Sequence, residues 1–180
     1  MASFLLDAFF EFAQTNYSYV DEPLLRGKLN DFYSSSSPSH LSINDASWVC
    51  TVLMIFAIGT QFCHLCSTTS DDPFSPGPVD REMAHTEDDA IALKFYHQAS
   101  KLIPDVIAHA SIESVQAFEL LAVYTLPIDA AGLSCTYLGI AIKIATQNGM
   151  HLRYHKNLEP REVELRKRIW WTAYTLERYG

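Results

Sequence analysis

Cations are what the first half of this sequence has least of. Residues 1–89 carry 3 Lys and Arg against 13 Asp and Glu, whereas residues 90–180 carry 10 against 8. With a formal charge of −8 over 180 residues, the chain as a whole lacks the basic footprint by which proteins displace counterions from nucleic acid. Cysteine is also sparse. The four thiols (Cys50, Cys63, Cys66 and Cys135), in a sequence without a secretory leader pattern, suggest a reducing compartment. The opening MASFLLDAFFEF has no cationic leader, and Asp7 and Glu11 interrupt its apolar residues, which is not the pattern of a signal peptide. No uninterrupted apolar run reaches the roughly 20 residues of a membrane span. The strongly apolar part of Trp48–Cys66 covers only Val49 to Ile58 before Gly59-Thr60-Gln61 and His64 intervene, so this stretch reads as a buried helix, with no membrane partner. No strand-like alternation of apolar and polar residues occurs.

What is present is helical periodicity nearly throughout, with 48% hydrophobic residues to build a core. Phe4, Leu5, Ala8, Phe9 and Phe12 recur at spacings of three and four, as do Leu24, Leu25, Leu29, Phe32 and Tyr33, and each set predicts a core-facing helix. Asn44 or Asp45 is placed to cap the helix that contains Trp48. The chain divides into N-terminal helices over 1–67, a Pro-rich acidic loop over 68–86 with Pro73, Pro76, Gly77 and Pro78, and a helical region over 87–180. Four helices are expected in the last part. The first follows Asp88-Asp89. The second is capped by Ser111 and closed by Pro127, with Glu113 in its first turn. The third ends at Gly149, the residue suited to a left-handed cap, and close contacts with a neighbouring helix would explain Gly132 and Gly139 inside it. The fourth starts near Pro160. The fold class is all-α, a bundle or stack of helical pairs.

The final segment, EPREVELRKRIWWTAYTLERYG, sets Arg166-Lys167-Arg168 beside Trp170-Trp171. On a helix, Leu165, Ile169, Thr172, Ala173 and Leu176 share one face, widened by Val163, Trp170 and Tyr174, and Trp171 lies beside it. Glu162 and Glu164 stand four residues before Arg166 and Arg168, the favourable order for helical ion pairs. Such pairs contribute only tenths of a kcal/mol when exposed. Burial of both indoles is worth more, on the order of several kcal/mol. The expected helix is therefore anchored by its aromatics, with its cations held by carboxylates.

Sharper chemistry has less support. Cys63-x-x-Cys66 has no second ligand pair for zinc and falls at the end of a helix where no dipole would lower a thiol pKa, so it reads as two buried small side chains. Asp71-Asp72 and Glu87-Asp88-Asp89 form a magnesium-type acid cluster only if facing helices bring them together, and the second set reads as acids at a helix start. Cys135 with His151 or His155 would need an adjacency that spacing alone does not supply. No catalytic or metal-binding set is assigned, and no pocket residue is named.

Glu164-x-Arg166-Lys167-Arg168-x-Trp170-Trp171 followed by Glu177-Arg178 resembles the hallmark segment of the fungal-specific transcription factor domain, the middle homology region of regulators that carry a six-cysteine binuclear zinc cluster. Gly139-x-Ala141-Ile142-Lys143-Ile144-Ala145 with Gly149-Met150-His151-Leu152-Arg153 is similar to its preceding motif. Val115-Gln116-Ala117 resembles the helix before that, and Phe9-Phe10 through Val20-Asp21-Glu22 the way the domain opens. The resemblance implies a non-enzymatic regulatory domain of a nuclear transcription factor, acting through co-regulators or a small effector, with homodimerisation in the full-length protein. It assigns family-motif structural roles to Gly139, Gly149, His151, Glu164, Arg166, Arg168, Trp170, Trp171, Glu177 and Arg178. Zinc and DNA contacts would belong to an N-terminal cluster absent from these 180 residues, and the domain is expected to continue past Gly180, which would leave an apolar face uncovered. A stand-alone helical interaction module and a small all-α enzyme are the alternatives.

Overall fold

The computed structural model of the chain describes residues 2–34, 45–67, 78–152 and 158–179, and for residues 67, 78–86, 130 and 179 the backbone alone. Among the described residues there are eight α-helices and no strand: α1 (Ala2–Ala8), α2 (Glu22–Ser34), α3 (Ala46–Ser67), α4 (Pro78–Lys101), α5 (Ile103–His109), α6 (Ile112–Thr125), α7 (Cys135–Gln147) and α8 (Pro160–Tyr179). The all-α class expected from periodicity is the class observed.

α3 is the hub. Its residues Met54, Ile55 and Ala57 are fully buried, and it packs on α1, α4, α5 and α6. By length and apolarity it is the one described helix able to cross a membrane, yet over half of that stretch is buried within the protein, so its apolar residues serve the core. α6 forms the second spine, packing on α3, α7 and α8, with Phe118, Leu120 and Leu121 buried from all sides. Aromatics join the layers. Tyr96 of α4 stacks on Tyr124 of α6 at 4.9 Å and meets the Tyr137 hydroxyl of α7 at 3.3 Å.

Helix ends follow their local chemistry. Ser111 accepts from the Ser114 backbone N–H, and the Ser114 hydroxyl in turn accepts from the Ser111 N–H, a reciprocal cap that starts α6 with Glu113 in its first turn. α6 stops at Thr125, two residues before Pro127. α1 runs into a wider π-type turn over Phe9–Ala13, closed by the Gln14 N–H on the Phe9 carbonyl at 3.0 Å.

Several expectations are corrected. α4 begins at Pro78, inside the segment read as an irregular loop. A first helical residue needs no N–H partner, so proline is tolerated there. Glu87, Asp88 and Asp89 consequently lie in mid-helix and not at a helix start. Among the described residues, five helices rather than four follow residue 77. The additional one, α5, has Pro104 in its first turn and is capped after His109 by Ala110, a left-handed residue at φ 48°. On α1 the buried side chains are Leu5, Leu6 and Ala8, and Phe4 is exposed. On α2, Leu25 and Leu29 are buried, while Leu24, Phe32 and Tyr33 are exposed. Neither Gly132 nor Gly139 makes a close helix contact. Gly132 donates its N–H to the Asp129 carboxylate at 3.0 Å, and Gly139 faces open space. The glycine that does permit a close approach is Gly59 of α3, where a Cβ would collide with the Leu5 carbonyl of α1.

Candidate functional site

Gly149, His151, Arg166 and Trp170 of the hallmark segments meet where α7 ends and α8 packs back. α7 closes with two crossed hydrogen bonds, Gly149 N–H to the Thr146 carbonyl and Met150 N–H to the Ala145 carbonyl, each 3.0 Å. This helix ending needs a left-handed residue at the glycine, and Gly149 has φ 67°. The cap becomes a junction through Asn148. Its side-chain amide donates to the Ala110 carbonyl at 2.7 Å and to the Ile144 carbonyl at 3.0 Å. Its own carbonyl accepts from Arg166 Nη1 at 3.2 Å, and Arg166 is paired with Glu162 at 3.2 Å. One chain of polar contacts thus joins the end of α5, the end of α7 and the first half of α8. Beside it the His151 ring lies 5.7 Å from Trp170, Trp170 stacks on Tyr174 at 6.1 Å, and the Arg178 guanidinium lies 5.5 Å over Tyr174.

Both expected ion pairs form, Glu162–Arg166 and Glu164–Arg168 at 3.0 Å, and Glu177 pairs with Arg178 at 3.5 Å. Ile169, Thr172, Ala173 and Leu176 are buried as the periodicity predicts. Trp170 is half-buried against the core. Trp171 is a correction, because its indole is 60% exposed, held edge-on against Tyr174 at 5.6 Å. One residue turns a helix by about 100°, so adjacent tryptophans cannot both point into one core. The structure brings Gly149, His151, Arg166 and Trp170 together. It places Glu164, Arg168 and Trp171 on the outer side of α8 and leaves Gly139 apart.

A strap formed by residues 14–21 crosses that outer side. Gln14 clamps it by accepting from the Val20 N–H at 3.0 Å and donating to the Val20 carbonyl at 2.9 Å. Gln116 of α6 donates to the Tyr19 carbonyl at 2.8 Å, the Ser18 N–H donates to Thr172 Oγ1 at 3.3 Å, and Arg161 pairs with Asp21 at 3.2 Å. Under the strap lies Glu119, fully buried on α6, with neither carboxylate oxygen in a hydrogen bond of good geometry. Desolvation holds its carboxyl well above the usual range, and the nearby Ala173 backbone offsets this only in part. The Tyr19 phenol is raised as well, first by burial and then by Glu119.

Other candidate chemistry is dispersed. Cys135 opens α7 and His151 follows its far end, about 18 Å of helix away at 1.5 Å per residue. Cys63 is half-buried, its thiol donates to the Gly59 carbonyl at 3.3 Å, and burial pushes its pKa up to about 11, the reverse of an activated thiol. Asp71, Asp72 and His155 lie outside the described residues. No group of three or more His, Cys, Asp or Glu suited to a metal ion occurs among those described. Asn148 and Glu119 went unnoticed at the sequence level. The signals were there in an Asn-Gly pair ending an apolar helix and a lone acid inside VQAFELLAVY.

The architecture is thus a helical regulatory-type domain whose hallmark segments make one polar junction, and the chain belongs to a known family. The fungal specific transcription factor domain matches residues 6–179. Among curated proteins, the chain is 32% identical over 180 residues to the uncharacterized transcriptional regulatory protein C3C7.04 of Schizosaccharomyces pombe, covering 99% of this chain and 21% of that protein. It is 24% identical to the thiamine repressible genes regulatory protein thi1 of the same organism, with the same coverage. It is 28% identical over 170 residues to activator of stress genes protein 1 of Candida albicans, 91% of this chain and 16% of that protein. The chain therefore spans about a fifth of the length of these relatives, which are named as regulators of transcription or of genes. No solved structure matches.

Proposed function

We propose that these 180 residues act as the regulatory domain of a nuclear zinc-cluster transcription factor, without catalytic activity of their own, and that zinc and DNA contacts are made by another part of the longer protein. The observation that supports this most directly is the junction through Asn148 and Arg166. It joins the ends of α5 and α7 to α8 by hydrogen bonds, so that a contact on α8 would bear on α5 and α7. A domain that relays a signal needs such coupled elements. Co-regulator proteins or a small effector would supply the signal, and homodimerisation would place two such bodies on one target.

The reading is tested by fusing the chain between a heterologous DNA-binding module and an activation segment and measuring reporter transcription in a fungal host. The expected result is a several-fold change in output relative to the same fusion without the chain, and loss of that change with Arg166→Ala. Equal output with and without the chain overturns the reading. The full-length protein with a fluorescent tag is expected to accumulate in the nucleus, and exclusion from it counts against the nuclear part.

A further inference from the structure

Where α2, α3, α6 and α8 meet the far end of the strap, the surface opens into a pocket of about 180 Å³. Its lining is mainly apolar, with Val20 from the strap, Leu24 and Leu25 from α2, Trp48 from α3, Ile112 from α6 and Leu165 from α8. Val20, Leu25 and Trp48 are buried, whereas Leu24 is 53% exposed where the pocket opens. An apolar hollow of about 150 Å³ takes a benzene ring, so this one has room for a single ring with a small substituent.

Three of the lining side chains that carry a polar atom, Trp48, Thr51 and Gln116, are buried. The Thr51 hydroxyl is committed to the Ser47 carbonyl at 2.9 Å. Gln116 donates from Nε2 to the Tyr19 carbonyl at 2.8 Å, which fixes its amide, while its Oε1 accepts no hydrogen bond among the described residues. The Trp48 indole N–H is buried and has no acceptor. A buried donor left without an acceptor is a standing cost, which a bound acceptor removes. Apolar walls with a few convergent polar groups are the pattern of small-molecule sites.

Charge does not choose the occupant. The charged residues of the lining, Asp21, Lys28 and Glu113, are of both signs. Asp21 is paired with Arg161 at 3.2 Å, and the Lys28 ammonium lies 5.2 Å over the Trp48 ring. What the pocket leaves unsatisfied is neutral, one donor and one acceptor against apolar walls. We propose that it binds a small uncharged ring compound bearing a carboxamide group, which accepts from the Trp48 indole N–H and donates to Gln116 Oε1 while its ring packs on Leu25, Trp48 and Leu165. Such a ligand would bear on the strap through Val20 and Gln116 and on the polar junction through Leu165, the neighbour of Arg166. In its role as effector the inference rests on the regulatory reading above, but the binding itself is measured separately from any reporter.

The test titrates benzamide into the purified 180-residue chain, with its three tryptophans isotope-labelled at the indole nitrogen and read by nuclear magnetic resonance. The indole N–H signal of Trp48, assigned by its absence from Trp48→Phe, is expected to shift saturably while those of Trp170 and Trp171 stay in place. Trp48→Phe keeps a ring and removes the donor, and ligand-observed titration is expected to show binding about tenfold weaker. Toluene, the ring without the amide, is expected to bind about tenfold more weakly than benzamide to the unmodified chain. Leu24→Trp, at an exposed position of the lining, fills the opening and is expected to weaken benzamide as well. Circular dichroism confirms that each variant is folded. A Trp48 signal unmoved up to the solubility limit of benzamide overturns the proposal, as does equal binding by Trp48→Phe, or binding of toluene or benzoate as tight as that of benzamide. Where Trp48→Phe does not fold, Leu24→Trp carries the test, and undiminished binding there overturns the site. Reporter output unchanged by Leu24→Trp, with benzamide binding lost, bears on the regulatory reading alone.

Discussion

Arg166 of α8 donates through Nη1 to the Asn148 carbonyl at the end of α7, 3.2 Å away, while its side chain remains paired with Glu162. The guanidinium therefore satisfies a helix-end carbonyl, which α7 cannot do with its own backbone, and a carboxylate at once. Arg166→Ala is expected to destabilise the chain by about 2 kcal/mol, the range for hydrogen bonds to charged groups, as measured by urea denaturation. Arg166→Lys keeps the charge but not the planar fork and should recover only part of the loss. A midpoint unchanged in Arg166→Ala would show that the junction is ornamental.

Glu119 sets the sign of a pH dependence. Its folded pKa is raised by burial above an unfolded value of about 4.3, so the folded chain keeps a proton that the unfolded chain loses. Its contribution to stability is complete below about pH 4 and is lost as pH rises from there toward the folded pKa, with a slope of up to about 1.4 kcal/mol per pH unit. Tyr19, the other titratable group facing it with a resolved shift, ionises only at higher pH. In Glu119→Leu the slope should vanish, and at pH 8 this variant is expected to be the more stable by about 1–2 kcal/mol. Parallel pH profiles for the two proteins would contradict this account.

Two glycines on core helices are expected to respond in opposite directions. Gly59→Ala drives a Cβ into the Leu5 carbonyl and should cost about 1–3 kcal/mol through overpacking. Gly139→Ala meets nothing within 4 Å and should stabilise α7 by up to about 1 kcal/mol by helix propensity. Thermal melts of both variants settle the comparison, and a rise with Gly59→Ala is the outcome that would disprove the close α1–α3 approach.

The paired tryptophans should separate in the same way. Trp170→Ala removes an indole packed between His151 and Tyr174 and is expected to cost about 2–3 kcal/mol, somewhat under the range for a fully buried aromatic. Trp171→Ala, at an exposed position, should stay within about 0.5 kcal/mol. Chemical denaturation of the two single variants measures the difference directly, and equal losses would mean that Trp171 is also an anchor.

Local chemistry was legible from the residues alone. The Ser111 cap, the left-handed Gly149, the stop before Pro127 and the pairing of Glu162 with Arg166 and Glu164 with Arg168 each depend on neighbours within four positions, so spacing suffices to find them. The buried face Ile169, Thr172, Ala173, Leu176 was equally plain from its period. The start of α4 at Pro78 is hidden in the sequence because three prolines and a glycine dominate that stretch, although proline is tolerated at a first helical position. The exposure of Phe4 and Phe32 was missed because periodicity marks an apolar stripe wider than the part that a neighbour covers.

By itself, then, the sequence determined that this chain folds as helices, where most of them begin and end, and which family its motifs resemble, because these follow from short-range backbone chemistry and from the order of residues. Only the tertiary structure decided that Gly59 and not Gly139 is the contact glycine, that Asn148 links Ala110 to Arg166, that Glu119 is sealed with neither carboxylate oxygen in a hydrogen bond of good geometry, and that Trp171 faces solvent. Each of these depends on which helix faces which across long sequence separations. The period of one helix constrains its own faces but carries no information about the partner packed against them.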